Sequence, residues 1–341
     1  MPFTKFSNLD FDQIKTSIKD YLRSNSDFSD FDFEGSNFSV LIDTLAYNTY
    51  ITAVNSNLVV NESFLDSATV RENVVSLARN IGYVPRSKTA AKAIISFDIE
   101  SSDTSQPSSV TLKAGLVCIG AGNNITYTFS IPEDITTTTT TLRDSDNNIS
   151  GYKASFDSIE VLQGTFLRKL FVVDGSLDQR FILDNPSIDT STIIVHVKDK
   201  ADSADKGVLF TKVDNILNIK PSSTTFLLQE VQDEKYELLF GDGIFGKKLE
   251  NGKIIDISYI VTDGKDGNGP SFFSFAGSIE DQLGAPVNLN NTPSIKVSSG
   301  ASNGGNIEPI DSIKYFAPRL YSSQYRAVTA RDYEAIIQQI Y

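Results

Sequence analysis

The chain has no tryptophan, one histidine, one cysteine and fewer cations than anions, and each shortage excludes something. Cys118 has no second cysteine to pair with, so no intrachain disulfide forms, which fits assembly in a reducing compartment. It sits in the strand-like run Gly115-Leu116-Val117-Cys118-Ile119 and reads as a buried small hydrophobe rather than a reactive thiol. A single histidine excludes zinc sites that need two, and argues against a Ser-His-Asp triad. His196 lies in Ile193-Ile194-Val195-His196-Val197, where a packed strand histidine is expected rather than a catalytic base. Missing tryptophan removes the preferred sugar-stacking side chain. No window approaches 18 uninterrupted apolar residues, so no membrane-spanning helix is expected. Met1-Pro2-Phe3-Thr4-Lys5 has neither the charged leader nor the apolar stretch of a signal peptide.

The 30 bases against 43 acids give a net charge of −13. A surface that acidic repels phosphate backbones and anionic lipid, so neither nucleic acid nor membrane is expected as a partner. What the chain does have is apolar content: 40% hydrophobic residues, with 22 Phe and 13 Tyr, enough for real cores and against disorder. Its 341 residues suggest about two domains.

The hydrophobic period divides the chain. Asp10 opens a first helix with capping-box spacing to Gln13, and Phe11, Ile14, Ile18 and Leu22 follow at three- and four-residue steps. A second helix starts near Ser36 or Asn37 and runs to about Val60, its stripe including Phe38, Leu41, Ile42, Leu45, Val54 and Leu58. Ser67 is placed to cap a third, carrying Val70, Val74, Leu77 and Ile81, with Gly82 to end it and Pro85 to prevent continuation. From about Ala93 the period becomes two: Ile95, Phe97 and Ile99 alternate with polar residues, and strand-like runs follow at 110–120, 125–131, 165–173, 179–184, 191–198, 224–231, 235–240 and 253–262. The threonine run 136–141 reads as an exposed edge strand or loop, and Asn251-Gly252 as a turn. Helix returns as a short piece from Ile307 to Tyr315, ending before Pro318. A final helix is capped by Thr329, with Tyr333, Ile336, Ile337 and Ile340 along one face. It reads as a helix cut short, needing cover from the β-rich part, a second copy or a continuation of the chain, the first two being favoured. The fold class is therefore α+β: an N-terminal helical bundle (1–88), a long β-rich domain (89–300) and a C-terminal helical segment (301–341).

Sharper chemistry finds little support. Asp263-Gly264-Lys265-Asp266-Gly267-Asn268-Gly269 resembles a calcium loop, but Lys265 puts a cation among the ligands, so turn chemistry is the better reading. Neither this segment nor Phe240 to Gly246 is a phosphate-binding loop, and no catalytic, metal or cofactor residue is expected. In Asp27 to Glu34, acids interleave with Phe28, Phe31 and Phe33. These are candidate partner anchors, although local burial of the rings is the favoured reading.

Three segments carry a resemblance. Ala68 to Ala93 runs from a helix through Gly-Tyr-x-Pro-Arg into the first strand. Tyr236 to Gly269 contains FGDGIFGK, NGKIIDISYIVTDG and GNG. Gly300 to Ile337 contains GASNGGNIEPIDSIKYFAPRLYSSQYRAVTARDYEAI. Together and in this order they resemble the J-type baseplate protein family, within it the large wedge subunits of T-even-like contractile-tailed phages. The resemblance implies a non-enzymatic structural subunit in the virion, one that joins a ring around the tail hub and helps transmit the trigger for sheath contraction. The implied partners are further copies of the chain in dimer or ring contacts, other wedge proteins and a sheath-initiating protein. It gives motif residues a structural role: Gly241, Asp242, Gly243 and Gly246 as backbone devices, Arg326 and Asp332 as a pair across the last helix start, with Thr329 and Tyr333 beside them. Apolar stripes without full cover make Leu41, Leu45, Ile336 and Ile340, with the three phenylalanines, candidate interface residues. The competing reading from another class is a glycan-binding or glycan-cleaving tail protein, which a β-rich middle allows and the missing tryptophan disfavours.

Overall fold

The computed structural model describes residues 10–24, 32–33, 35, 37–122, 125–176, 178–200, 205–213, 219–324 and 326–340. They form two compact units: the N-terminal helices to Tyr83 with everything from Ile310 onward, and Val84–Pro309. The C-terminal helices thus fold with the N-terminal ones and are not a third segment.

The helical unit contains α1 (Phe11–Arg23), α2 (Phe38–Glu62), α3 (Arg71–Asn80), α4 (Ile310–Ser323) and α5 (Ala330–Ile340). Its core gathers Ala68, Val74, Val75, Ala78 and Tyr83 against Ile313, Ala317 and Leu320, with Ile336 half-buried at its margin. Among the described residues, the last helix takes cover within its own unit, where Ile336 packs against the core of α3 and α4. Gly82 closes α3 as expected: its φ is +82°, and the amides of Gly82 and Tyr83 return to the carbonyls of Arg79 and Ala78. Two start signals fail. Asp10 sits at the first cap without a side-chain hydrogen bond, and α3 begins after Val70, not at Ser67, whose hydroxyl instead donates to the Asn61 carbonyl. Pro318 does not stop α4, which runs through it for another turn. The proline forfeits one backbone bond, and burial of Ala317 and Leu320 on either side offsets that loss.

The β-rich unit holds two sheets. The nine-stranded one takes β1 (Lys92–Ser101), β2 (Ser109–Leu112), β3 (Gly115–Gly122), β4 (Ile125–Ile131), β5 (Ile135–Arg143), β6 (Ile149–Gln163), β14 (Phe272–Phe275), β15 (Ile279–Asp281) and β16 (Ile295–Ser302). The seven-stranded one runs in the order β7 (Thr165–Val172), β13 (Ile254–Val261), β9 (Ile188–Lys198), β10 (Val208–Lys212), β11 (Thr225–Glu230), β12 (Tyr236–Phe240), β8 (Phe181–Leu183). Only its β10–β11 pair is parallel. The fifteen-residue β6 is the spine of the larger sheet, with β1 along one edge and β5 then β4 along the other. The threonine run lies in β5, which pairs β2 on one side and β6 on the other. It is an interior strand, not an edge, because its β-branched side chains suit pairing on both sides. Each sheet has its own core, one around Phe97, Phe129 and Phe156 and the other around Phe226, Leu183 and Ile257. Cys118 is fully buried in the first, and burial pushes its thiol up to about 12, away from any nucleophilic role.

The unit's two ends are tied together. Thr89 and Gly305 exchange backbone hydrogen bonds, each 3.0 Å, and Glu308 turns back its carboxylate to accept the Arg86 amide at 3.0 Å. The glycine-rich segments meet here. The Asn268 side-chain amide donates to the Gly304 carbonyl and accepts the Gly304 amide, at 2.9 and 2.8 Å. A Cβ on Gly304 would lie 2.4 Å from the Gly264 carbonyl oxygen, which is backbone and cannot move aside cheaply. Gly304→Ala should therefore destabilise by roughly 2 kcal/mol or more. Gly284→Ala, where φ is +79° but no atom lies within 4 Å, should cost about 1 kcal/mol from backbone strain alone. Urea unfolding of the two variants should rank them in that order.

Candidate assembly surface

The α2 sequence allows no ordinary amphipathic helix. Asp43 and Glu62 are its only charged residues, and apolar side chains lie all round it. Such a helix needs cover on every side. The chain supplies one side: Ile42 and Ala46 are buried, and Asn57 and Asn61 continue that face. The remainder is open. Val40 is 67% exposed, Leu41 61%, Leu45 54% and Val59 65%. The stripe expected from sequence thus divides. Ile42 packs inward, Phe38 is half-buried, and Leu41, Leu45, Val54 and Leu58 face outward.

Two exposed features result. Along one side of α2, Val40, Tyr47, Ile51, Val54 and Leu58 recur at steps of seven, four, three and four, the spacing of a coiled-coil seam. On another side, a groove of about 610 Å³ runs between α1 and α2, lined by Ile14, Ile18, Tyr21, Leu22, Leu41 and Leu45. The polar residues of α2 do not relieve this exposure. The hydroxyls of Thr44, Thr49, Thr52, Ser56 and Ser63 all donate to the carbonyl four residues back, at 2.8 to 2.9 Å. Their hydrogen-bonding capacity is turned onto their own helix, so the surface can be covered without stranding donors.

Of the other candidate anchors, Phe33 is 1% exposed, tilted against Phe38 at 6.5 Å with the Arg23 guanidinium over its ring. It is a core residue of its own chain, not an interface anchor: local burial of a ring costs less than exposing it. Phe28 and Phe31 lie outside the described residues, as does the Ile340 side chain. On α5, Ile336 is half-buried while Tyr333 and Ile337 stay more than half exposed.

The motif residues lie at two separate chain turns, one in each unit. Asp242 accepts the amides of Ile244 and Phe245, both at 2.8 Å, which hold its carboxyl below the usual range. Gly243 and Gly246 take positive φ, and a Cβ on Gly241 would lie 2.2 Å from the Gly246 backbone. At the α5 start Asp332 accepts the Thr329 amide at 2.7 Å, and the Thr329 hydroxyl accepts the Asp332 amide at 3.3 Å. The expected Arg326–Asp332 pair does not form. Among the described residues the Asp332 carboxylate is taken by the amides of Val328 and Thr329. These motifs are at chain turns and carry no reactive constellation, and the described residues gather no group of three metal-ligating side chains.

One important residue gave no sequence signal. Glu62, at the end of α2, accepts the Thr69 amide and hydroxyl, both at 2.7 Å, the Val70 amide and the Asn73 side chain. It caps α3 from another helix, the role expected of Ser67. A Glu nine residues before a helix fits no local capping pattern. Burial pushes its carboxyl up, but the hydrogen bonds outweigh that and hold it down at about 2.

Residues 10–83 match the family described as baseplate wedge protein gp6-like, helical domain. Over 348 aligned residues the chain is 29% identical to baseplate wedge protein gp6 of Enterobacteria phage T4, covering 96% of this chain and 49% of that protein. The resemblance holds. The matching residues carry α2 and its uncovered surface, and the chain spans about half the length of its gp6 relative.

The Glu62 latch has a pH signature. Because its folded pKa is depressed, its contribution is full above the ordinary carboxyl value of about 4.5 and is lost as pH falls towards 2. Glu62→Gln should lower the melting temperature at pH 7, and the gap to the parent should close as the pH is lowered through 4 to 3. A pH-independent gap would show that the carboxylate's charge is not what holds α3.

Proposed function

We propose that the chain is a structural subunit of a phage tail baseplate wedge, non-enzymatic, placed in the virion and assembled through its gp6-like helical domain. The observation that carries this is the α2 surface: a long apolar helix, hydroxyls turned inward, uncovered on two sides, in the region that matches the family. Similarity to gp6 along 96% of the chain supports the same role for the β-rich unit. There the sheets would act as a rigid body that carries load around a ring and passes on the trigger for sheath contraction. The partners proposed are a second copy, other wedge proteins and the protein that starts the sheath.

For self-association the seam is the favoured contact. Covering Val40, Tyr47, Ile51, Val54 and Leu58 by a second α2 would contribute on the order of 5–10 kcal/mol before association entropy is subtracted. Sedimentation velocity on the full chain tests it. Val54→Asp with Leu58→Asp should shift the protein to monomer while leaving its melting temperature within about 2 °C, since both side chains are already exposed. An unchanged association state would reject the seam. Co-purification of the same variant with wedge partners at parental level would reject α2 as the assembly surface. The glycan reading is answered by a polysaccharide depolymerase assay, where no turnover is expected.

A further inference from the structure

A cleft of different chemistry lies in the β-rich unit, between its two sheets. The cleft has a volume of about 380 Å³, within the range of about 300–1,000 Å³ typical of pockets that hold small ligands or a few residues of a peptide. One wall is the polar face of the seven-stranded sheet, where Arg168 of β7, His196 and Lys198 of β9 and Asp256 of β13 converge. Asp256 is nearly buried. It receives Arg168 through two hydrogen bonds, one of them Nε at 2.6 Å, and Lys198, itself 8% exposed, at 2.6 Å. Two cations thus share one carboxylate, and a positive charge is left over on that wall. Lys206 adds another at the rim. Across the cleft Lys113 is spent on Asp134 at 2.8 Å and on Glu280 at 3.6 Å, with Glu133 exposed beside it. The cleft is therefore polarised, one wall cationic and the other neutral to acidic, in a chain whose net charge is −13.

The cationic wall also has unused hydrogen-bonding capacity. Among the described residues the side chains of His196, Ser258 and Lys206 make no hydrogen bond. His196 and Ser258 are part-buried and Lys206 is exposed, so all three are within reach of a group that enters the cleft. Their arrangement around Arg168 and Lys198 suits an oxyanion, which can accept from several of them at once. The exposed Glu133 carboxylate suits the backbone amides that accompany a peptide carboxylate better than a bare ion.

We propose that this cleft binds a carboxylate side chain of an acidic peptide segment from a partner subunit, with the carboxylate against Arg168, Lys198 and His196. The site is separate from the α2 surface, and its occupant rests on the reading of the chain as an assembly subunit. Burial pushes the His196 imidazole down, against the pull of Asp256 and Glu133 and with Lys198 and Lys206 adding to the fall. A bound carboxylate would stabilise the protonated ring and raise its midpoint.

His196 is the chain's only histidine, so the full chain labelled at histidine gives a single imidazole spectrum that reports on the cleft. Capped hexaglutamate should shift those signals saturably, raise the ring's titration midpoint and lose effect as sodium chloride is added. Lys198→Met should weaken the response roughly tenfold. Lys206→Glu, at the exposed rim, should weaken it too, and serves as the test should Lys198→Met fail to fold. Capped hexaglutamine should do nothing. Inorganic phosphate producing the same saturable shift at equal concentration would show a free-anion site and overturn the peptide assignment. No response to hexaglutamate, an equal response to hexaglutamine, or an undiminished response in Lys206→Glu would overturn the site.

Discussion

The β-rich unit depends on the backbone exchange between Thr89 and Gly305. From that bridge β1 and β16 pair onward, from Lys92 opposite Ser302 to Phe97 opposite Ile295, and the other edge of β1 builds on β6. The long β6 then carries β4 and β5. Everything in the larger sheet is thus in register with a two-residue contact between segments more than two hundred positions apart. The surrounding bonds protect it. Gln163, at the end of β6, donates its amide to the Ala91 carbonyl at 2.8 Å, and its side chain accepts from Thr262 and Asp263. Asp189 accepts the Ala90 amide at 2.7 Å. Paired polar groups at such a junction favour one arrangement where an apolar contact would tolerate several, although the buried Arg86 Nε has no hydrogen-bond partner among the described residues.

This junction explains why the three sequence segments are recognisable. The turn after α3 supplies Arg86 and Thr89, the GKDGNG segment supplies Gly264 and Asn268, and the GASNGGN segment supplies Gly304, Gly305 and Glu308. A Cβ at Gly264 or Gly304 would meet backbone, 2.8 Å from the Gly305 carbonyl oxygen and 2.4 Å from the Gly264 carbonyl oxygen. The sequence shows glycine-rich turns but not that two of them interlock, because that contact is made across about forty residues by a mutual amide pair. Local signals were legible where local physics decides: the apolar period of α1, the Gly82 stop, the Thr329 cap and most strands between Ile95 and Val261, though not the long β6. They were not legible where a distant group overrides them. Glu62 displaces Ser67 as the cap of α3, neighbouring strands on both sides turn the threonine run into sheet interior, and core contacts carry α4 through Pro318. Asp332 prefers two amides one turn away to Arg326, since short backbone bonds at a helix start need no long side chain to be ordered.

The helical unit and the β-rich unit divide their polar groups in opposite ways. In the sheets, buried charges are matched: Asp256 with Arg168 and Lys198, Glu237 with Arg180 at 2.7 Å. In α2, charge is nearly absent and hydroxyls bond back to their own helix. A helix made this way gains nothing from water, and its open sides lose on the order of 25 cal/mol for every Å² left exposed. The two chemistries also differ in what they ask of a partner. An apolar seam accepts any helix with matching spacing and gives affinity with little discrimination, whereas a polarised cleft gives little affinity but rejects the wrong charge. A subunit that must meet several neighbours in a fixed order gains from holding both, because the first supplies adhesion and the second decides which surface may stay.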